Sequence, residues 1–66
     1  MEVTVAVVGG ETHELDVADD ATYGDLAEPL GFSRHEVSVL VDGRPVPEDD
    51  RVTADHVELL RLVKGG

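Results

Sequence analysis

Val57-Glu58-Leu59-Leu60-Arg61-Leu62-Val63 is the stretch on which the fold turns, because its apolar residues occupy both parities of an extended chain. Val57 and Leu59 carry an inward alternation, which turns Leu60 and Leu62 to the other side of a sheet. The opposite register would bury Leu60 and Leu62 and expose Leu59, since a slip of one residue exchanges the faces of a strand. Lys64-Gly65-Gly66 follows at once. Two residues without Cβ can enter a channel that a bulkier tail would block, so this spacing lets the terminal carboxylate of Gly66 reach an enclosed active site. Glycine pairs at chain ends are otherwise common as frayed termini or linkers, and the weight of this one comes from what precedes it.

Upstream, Val3, Val5 and Val7 alternate with Glu2, Thr4 and Ala6, which reads as a half-buried strand with the odd positions inward. Gly9-Gly10 breaks it. Thr12 to Val17 alternates again, with Leu15 and Val17 on one side, His13 near the edge of that side, and Glu14 and Asp16 opposite. The two runs form an N-terminal hairpin. Thr22 is spaced as an N-cap with Asp25 as its acidic partner, and Ala21 and Leu26 occupy the staple positions of a helix start. Pro29 has no N–H to bond back to Asp25, so the helix is short or kinked and ends near Gly31, with Leu26, Leu30 and Phe32 on its buried face.

From Glu36 the alternation returns, with Val37, Val39 and Val41 inward and Ser38, Leu40 and Asp42 outward, up to the Asp42-Gly43 hairpin signal. Arg44-Pro45-Val46-Pro47 is an edge strand, because neither proline can donate to a ladder. Glu48 to Arg51 is a polar turn, and Val52 dips back toward the core. The order is strand, strand, helix, strand, short strand, strand: an α+β domain with one helix to cover one face of a four- to five-stranded mixed sheet. Parallel pairing of the first and last strands would complete a β-grasp topology, with the helix crossing over them. If the strand after the helix also neighbours the last one, Leu40, Leu60 and Leu62 form an exposed apolar patch beside the tail, suited to a protein contact.

At 66 residues the chain forms one domain with one small core, expected over residues 1–63 with a flexible reactive tail over 64–66. It has no cysteine, which excludes disulfide staples, a thiolate nucleophile and Cys-based zinc sites. The 15 acidic residues outnumber 5 basic ones, for a formal charge of −10. That charge repels phosphates and argues against direct nucleic-acid binding. It suits a cytoplasm at very high salt, where the Debye length falls to about 3 Å near 1 M and self-repulsion is screened; an acidic mimic of nucleic acid is the competing reading of the same charge. No run is long and apolar enough to span a bilayer, and the first residues lack the pattern of a signal peptide. A halophilic, cytoplasmic, monomeric protein is expected.

No catalytic constellation emerges. His13, His35 and His56 are too widely separated for metal-ligand spacing, and Glu48-Asp49-Asp50 lacks the alternating ligands and glycine of a calcium loop, so no metal is expected. Gly9-Gly10 lacks the lysine and following helix of a phosphate loop. Ser33 and Ser38 have no base and orienting acid around them. The chain reads as something other than an enzyme.

The strand order, the Thr22-Tyr23-Gly24-Asp25-Leu26 helix start, Val39-Leu40-Val41-Asp42-Gly43-Arg44-Pro45-Val46-Pro47 and the ending Leu60-Arg61-Leu62-Val63-Lys64-Gly65-Gly66 together resemble the small archaeal modifier proteins of the shorter haloarchaeal type. These are ubiquitin-like β-grasp proteins related to the sulfur carriers of thiamin and molybdopterin synthesis. Those carriers often have Gly-Asp before the final strand, where this chain has Asp55-His56, a departure that favours the modifier branch. The resemblance implies that an E1-like enzyme adenylates Gly66 with ATP, after which the chain joins target-protein lysines by isopeptide bonds. It equally implies a thiocarboxylate fate, with a sulfur donor and the tRNA-thiolation machinery as partners, and a deconjugating metalloprotease to reverse conjugation. No cofactor is bound in this scheme. Dedicated sulfur transfer and a non-conjugating β-grasp interaction domain are the alternatives. Lys64, the only lysine, is two residues from the donor carboxylate, so the sequence favours its guiding the tail over its accepting a chain.

Overall fold

The computed structural model describes residues 1–62; the expected tail, Lys64, Gly65 and Gly66, lies outside the described residues, as does Val63. Five strands form one sheet: β1 (Glu2–Val7), β2 (Thr12–Asp16), β3 (Val37–Val41), β4 (Arg44–Val46) and β5 (His56–Arg61), in the spatial order β2-β1-β5-β3-β4. β5 is central. It runs parallel to β1, with Val5 opposite Val57 and Val7 opposite Leu59, and antiparallel to β3. This is the β-grasp arrangement, and the pairing that periodicity alone left open is the parallel one.

The valine alternation sets the inward face. Val3, Val5, Val57 and Leu59 are fully buried, as is Leu26 from the crossover, and Val37, Val39, Tyr23, Ala27 and Val52 close around them. Leu30 and Phe32 are only partly buried against this core, as are Val41 and Leu15. The Asp42-Gly43 turn of the second hairpin has both residues at positive φ, 54° and 79°. That geometry matches the twist of the strands it joins.

The crossover differs from the expected short helix. It consists of two 3₁₀ turns, Tyr23–Leu26 and Glu28–Leu30, and Gly31 ends the second in the left-handed region at φ 88°. Its bonds close over three residues: Asp25 N–H donates to Thr22 O, Ala27 N–H to Gly24 O and Leu30 N–H to Ala27 O. Pro29 removes the donor that an α-helical turn would return to Asp25, and the tighter turn replaces it. The polar loop before β5 clasps this segment, with Tyr23 N–H donating to Asp50 O, Gly24 N–H to Glu48 O and Val52 N–H to Ala21 O.

Asp25 holds the start of the crossover from two sides. Its carboxylate accepts the Thr22 N–H at 3.0 Å and the Arg34 guanidinium at 2.6 Å. The Thr22 N–H is the main cause that keeps its pKa below the ordinary carboxylate value, outweighing partial desolvation, with Arg34 adding to the effect. A depressed folded-state pKa gives stability that is complete above the unfolded value, near 3.9, and is lost as pH falls through the folded value. Asp25→Asn is therefore expected to lower the thermal midpoint at pH 7. The gap to the parent chain should close as pH drops below about 4, measured by circular dichroism between pH 7 and pH 2.

Candidate functional site

The alternation of β5 continues to its end. Val57 and Leu59 face the core, Glu58 and Leu60 face the open side of the sheet, and Arg61 returns to the crossover side, where its guanidinium lies 5.2 Å from the centroid of the Phe32 ring. Leu60 is 37% exposed and Leu62 54% exposed. Leu62 is anchored by its N–H donating to Glu36 O at 2.7 Å, so the backbone is held up to the last described residue.

The open face divides into two halves. Along β2 and β1 it carries Asp16, Glu14, Glu2 and Thr4, and Glu2 stands directly opposite Asp16. Like charges in that position repel. The Met1 ammonium, 3.6 Å from each of Asp16 and Asp19 and bonded to Val17 O at 2.6 Å, offsets part of this. Along β5, β3 and β4 the face is mixed, with Leu40, Pro45 and Leu60 among His56, Glu58 and Ser38. Leu40 is paired with Pro45 on one side and with Glu58 on the other, while Leu60 is paired with Ser38.

Leu40 and Leu60 therefore share the outer side of adjacent strands as diagonal neighbours, and Leu62 follows beyond the end of β5, exposed. Glu58 stands directly opposite half-buried Leu40, and Leu60 is its diagonal neighbour. A surface of this kind fits an aliphatic group with a basic residue beside it better than a wholly apolar one. Sequence reading missed Glu58, whose role depends on a cross-strand register that periodicity does not specify.

The histidines sit apart. His13 is opposite Val5 and His56 is opposite Thr4, which puts them on different faces of the sheet, and His35 lies in a loop with its Nδ1 3.8 Å from Glu48. Among the described residues no three metal-binding side chains converge, and no helix is long and apolar enough to cross a membrane. Gly65, Gly66 and Lys64 lie beyond the described residues, four to five positions after the pairing of β5 with β3 ends at Arg61 in the case of the glycines.

Residues 1–63 match the family model for small archaeal modifier protein 2. The chain is 62% identical over 66 residues to small archaeal modifier protein 2 of Haloferax volcanii, covering 100% of both chains. The crystal structure of the Haloferax volcanii small archaeal modifier protein 2 superposes with a TM-score of 0.76 at 61% identity, covering 97% of each chain. SAMP1 from the same organism shares the fold, with a TM-score of 0.68 at 21% identity and full coverage of both chains.

The assignment of faces has a direct test in stability. Leu59→Ala, which empties a fully buried site, is expected to cost about 2–5 kcal/mol. Leu60→Ser, one residue along, should cost less than about 1 kcal/mol. Urea unfolding of both variants measures the difference, and similar losses for both would reverse the faces.

Proposed function

The chain belongs to the small archaeal modifier protein 2 family, a group of ubiquitin-like protein modifiers, and from that premise we propose that its Gly66 carboxylate is the reacting group. A resting carboxylate is a poor electrophile. Attack of its oxygen on the α-phosphorus of ATP, in an E1-like enzyme, releases pyrophosphate and leaves a mixed anhydride with AMP. A target lysine amine then attacks the Gly66 carbonyl, AMP departs, the nitrogen loses a proton, and an isopeptide bond remains. A hydrosulfide-equivalent donor attacking the same carbonyl of the anhydride displaces AMP and leaves a thiocarboxylate, the form suited to sulfur delivery in tRNA thiolation. In both fates the chain is a co-substrate, consumed or recycled in the cytoplasm.

The observation that carries this reading is the sequence Lys64-Gly65-Gly66, separated by two residues from the end of a strand that is hydrogen-bonded to its last residue, Arg61. A centrally held β5 gives the tail a fixed root, and two glycines give it a narrow cross-section. Leu40, Leu60 and Leu62, with Glu58 among them, are the surface on which the activating enzyme would dock, and Lys64 would guide the tail electrostatically.

The chain ending at Gly66, a chain lacking Gly65 and Gly66, and one extended by a single alanine should be compared with ATP and candidate activating enzyme. Only the first is expected to release pyrophosphate. Intact mass after adding a sulfur source should then rise by about 16 Da as sulfur replaces oxygen. Conjugation instead yields target lysines carrying a Gly-Gly remnant. A gain of sulfur with no conjugate in cells would assign the chain to sulfur transfer alone, and partner binding unchanged by the deletion would make it a non-conjugating interaction domain.

A further inference from the structure

The crossover side of the sheet carries a second recess, separate from the Leu40–Leu60 face. It is an open groove of about 260 Å³ between the β1–β2 turn and the end of the crossover. Val7, Leu30 and Phe32 supply its apolar walls, and Arg61, His13 and Glu11 supply its polar groups. Phe32 and Leu30 are the crossover residues that packing left only partly covered.

Arg61 gives the groove its chemistry. Its guanidinium carbon lies 5.2 Å from the Phe32 ring centroid, a cation–π contact that holds the group beside the apolar wall. The ion pairs among the described residues join Met1 with Asp16 and Asp19, Arg34 with Asp25, and His35 with Glu48, and none uses Arg61. A planar fork of donors held against an apolar wall is a receptor for a carboxylate. Its position matters in a chain of net charge −10. Phosphate-rich polymers are repelled by that charge over long range, whereas a single carboxylate brought in on an apolar side chain meets a local cation.

We propose that this groove docks a carboxylate-bearing apolar segment of a partner protein, with an aliphatic side chain against Val7, Leu30 and Phe32 and an aspartate or glutamate on Arg61. Glu11, also on the groove, disfavours an acid near itself and so directs the carboxylate toward Arg61. The required partner chemistry is opposite in sign to that of the outer face, where Glu58 calls for a base.

The test is a titration of the full 66-residue, ¹⁵N-labelled chain in 1 M KCl, where the Debye length is about 3 Å and net repulsion is screened. The probes are acetyl-Leu-Asp-Leu-Glu-Leu-amide and acetyl-Leu-Lys-Leu-Lys-Leu-amide. The acidic peptide is expected to shift the amides of Val7, Gly10, Phe32 and Arg61 saturably, and the basic peptide is not. Arg61→Glu should weaken the acidic peptide at least tenfold with the dispersed spectrum retained, and Arg61→Lys, which keeps the charge but not the fork, should fall between. The proposal is overturned by the absence of saturable shifts, by shifts centred on Ser38, Leu40 and Leu60, or by affinity unchanged in Arg61→Glu. It is also overturned if the same amides shift with protein concentration alone, which would make a second copy of the chain the occupant.

Discussion

Parallel pairing of β1 with β5 is the constraint on which the rest of the molecule depends. A parallel neighbour cannot be reached by a tight turn, so the chain between the two strands must cross over the sheet. That crossover supplies Leu26, Tyr23 and Ala27 to the core beneath Val3, Val5, Val57 and Leu59. The same pairing places the last strand between two partners instead of at an edge. β1 flanks it as far as Leu59, and β3 alone carries it on through Leu60 and Arg61, after which the Leu62 N–H bonds to Glu36 O.

The strands were legible in the sequence because each is local. Alternating valines need only their immediate neighbours to be read, and Asp42-Gly43 names its own turn. Thr22 and Asp25 announced the start of the crossover correctly, with the Asp25 carboxylate on the Thr22 N–H. Its helical type was less legible. The missing donor of Pro29 foretold a short or kinked segment, but the choice between a kinked α-helix and two 3₁₀ turns is settled by packing over the sheet and by the clasp from Glu48 and Asp50. Two features were out of reach for a different reason. The placement of Glu58 opposite Leu40 depends on register between strands, and the cation–π contact of Arg61 with Phe32 joins residues far apart in sequence.

Charge is distributed with more order than the net value suggests. The acids of β1 and β2 gather on one half of the open face, on the β1 side of the strand that leads to the tail. Arg34 is used internally, neutralised by Asp25 at the start of the crossover. β5 then shows Glu58 to one side and Arg61 to the other. A partner approaching this strand from the open face meets an acid among leucines, and one approaching from the crossover side meets a base on an aromatic ring. The strand that leads to the glycines is thus asymmetric in sign, which can distinguish two partners, or two parts of one partner, without enlarging a very small domain.

The basic residues also bear on where an activated terminus would react. Four of the five are arginines, Arg34, Arg44, Arg51 and Arg61, and only Lys64 is a lysine. A guanidinium is not deprotonated in proteins, so it pairs with carboxylates without offering a nucleophilic nitrogen. Under the proposed chemistry, an acyl-adenylate at Gly66 would face a domain surface on which every side-chain cation outside the tail is inert toward it. Lys64 is two positions from Gly66 in sequence, and on the proposed reading it guides the tail more than it accepts a chain. An acyl group carried by such a chain is accordingly directed outward, toward the lysines of other proteins or toward a sulfur donor. The arginines retain the electrostatic tasks, Arg34 on Asp25 and Arg61 on Phe32, that lysines would otherwise have performed with a reactive amine exposed.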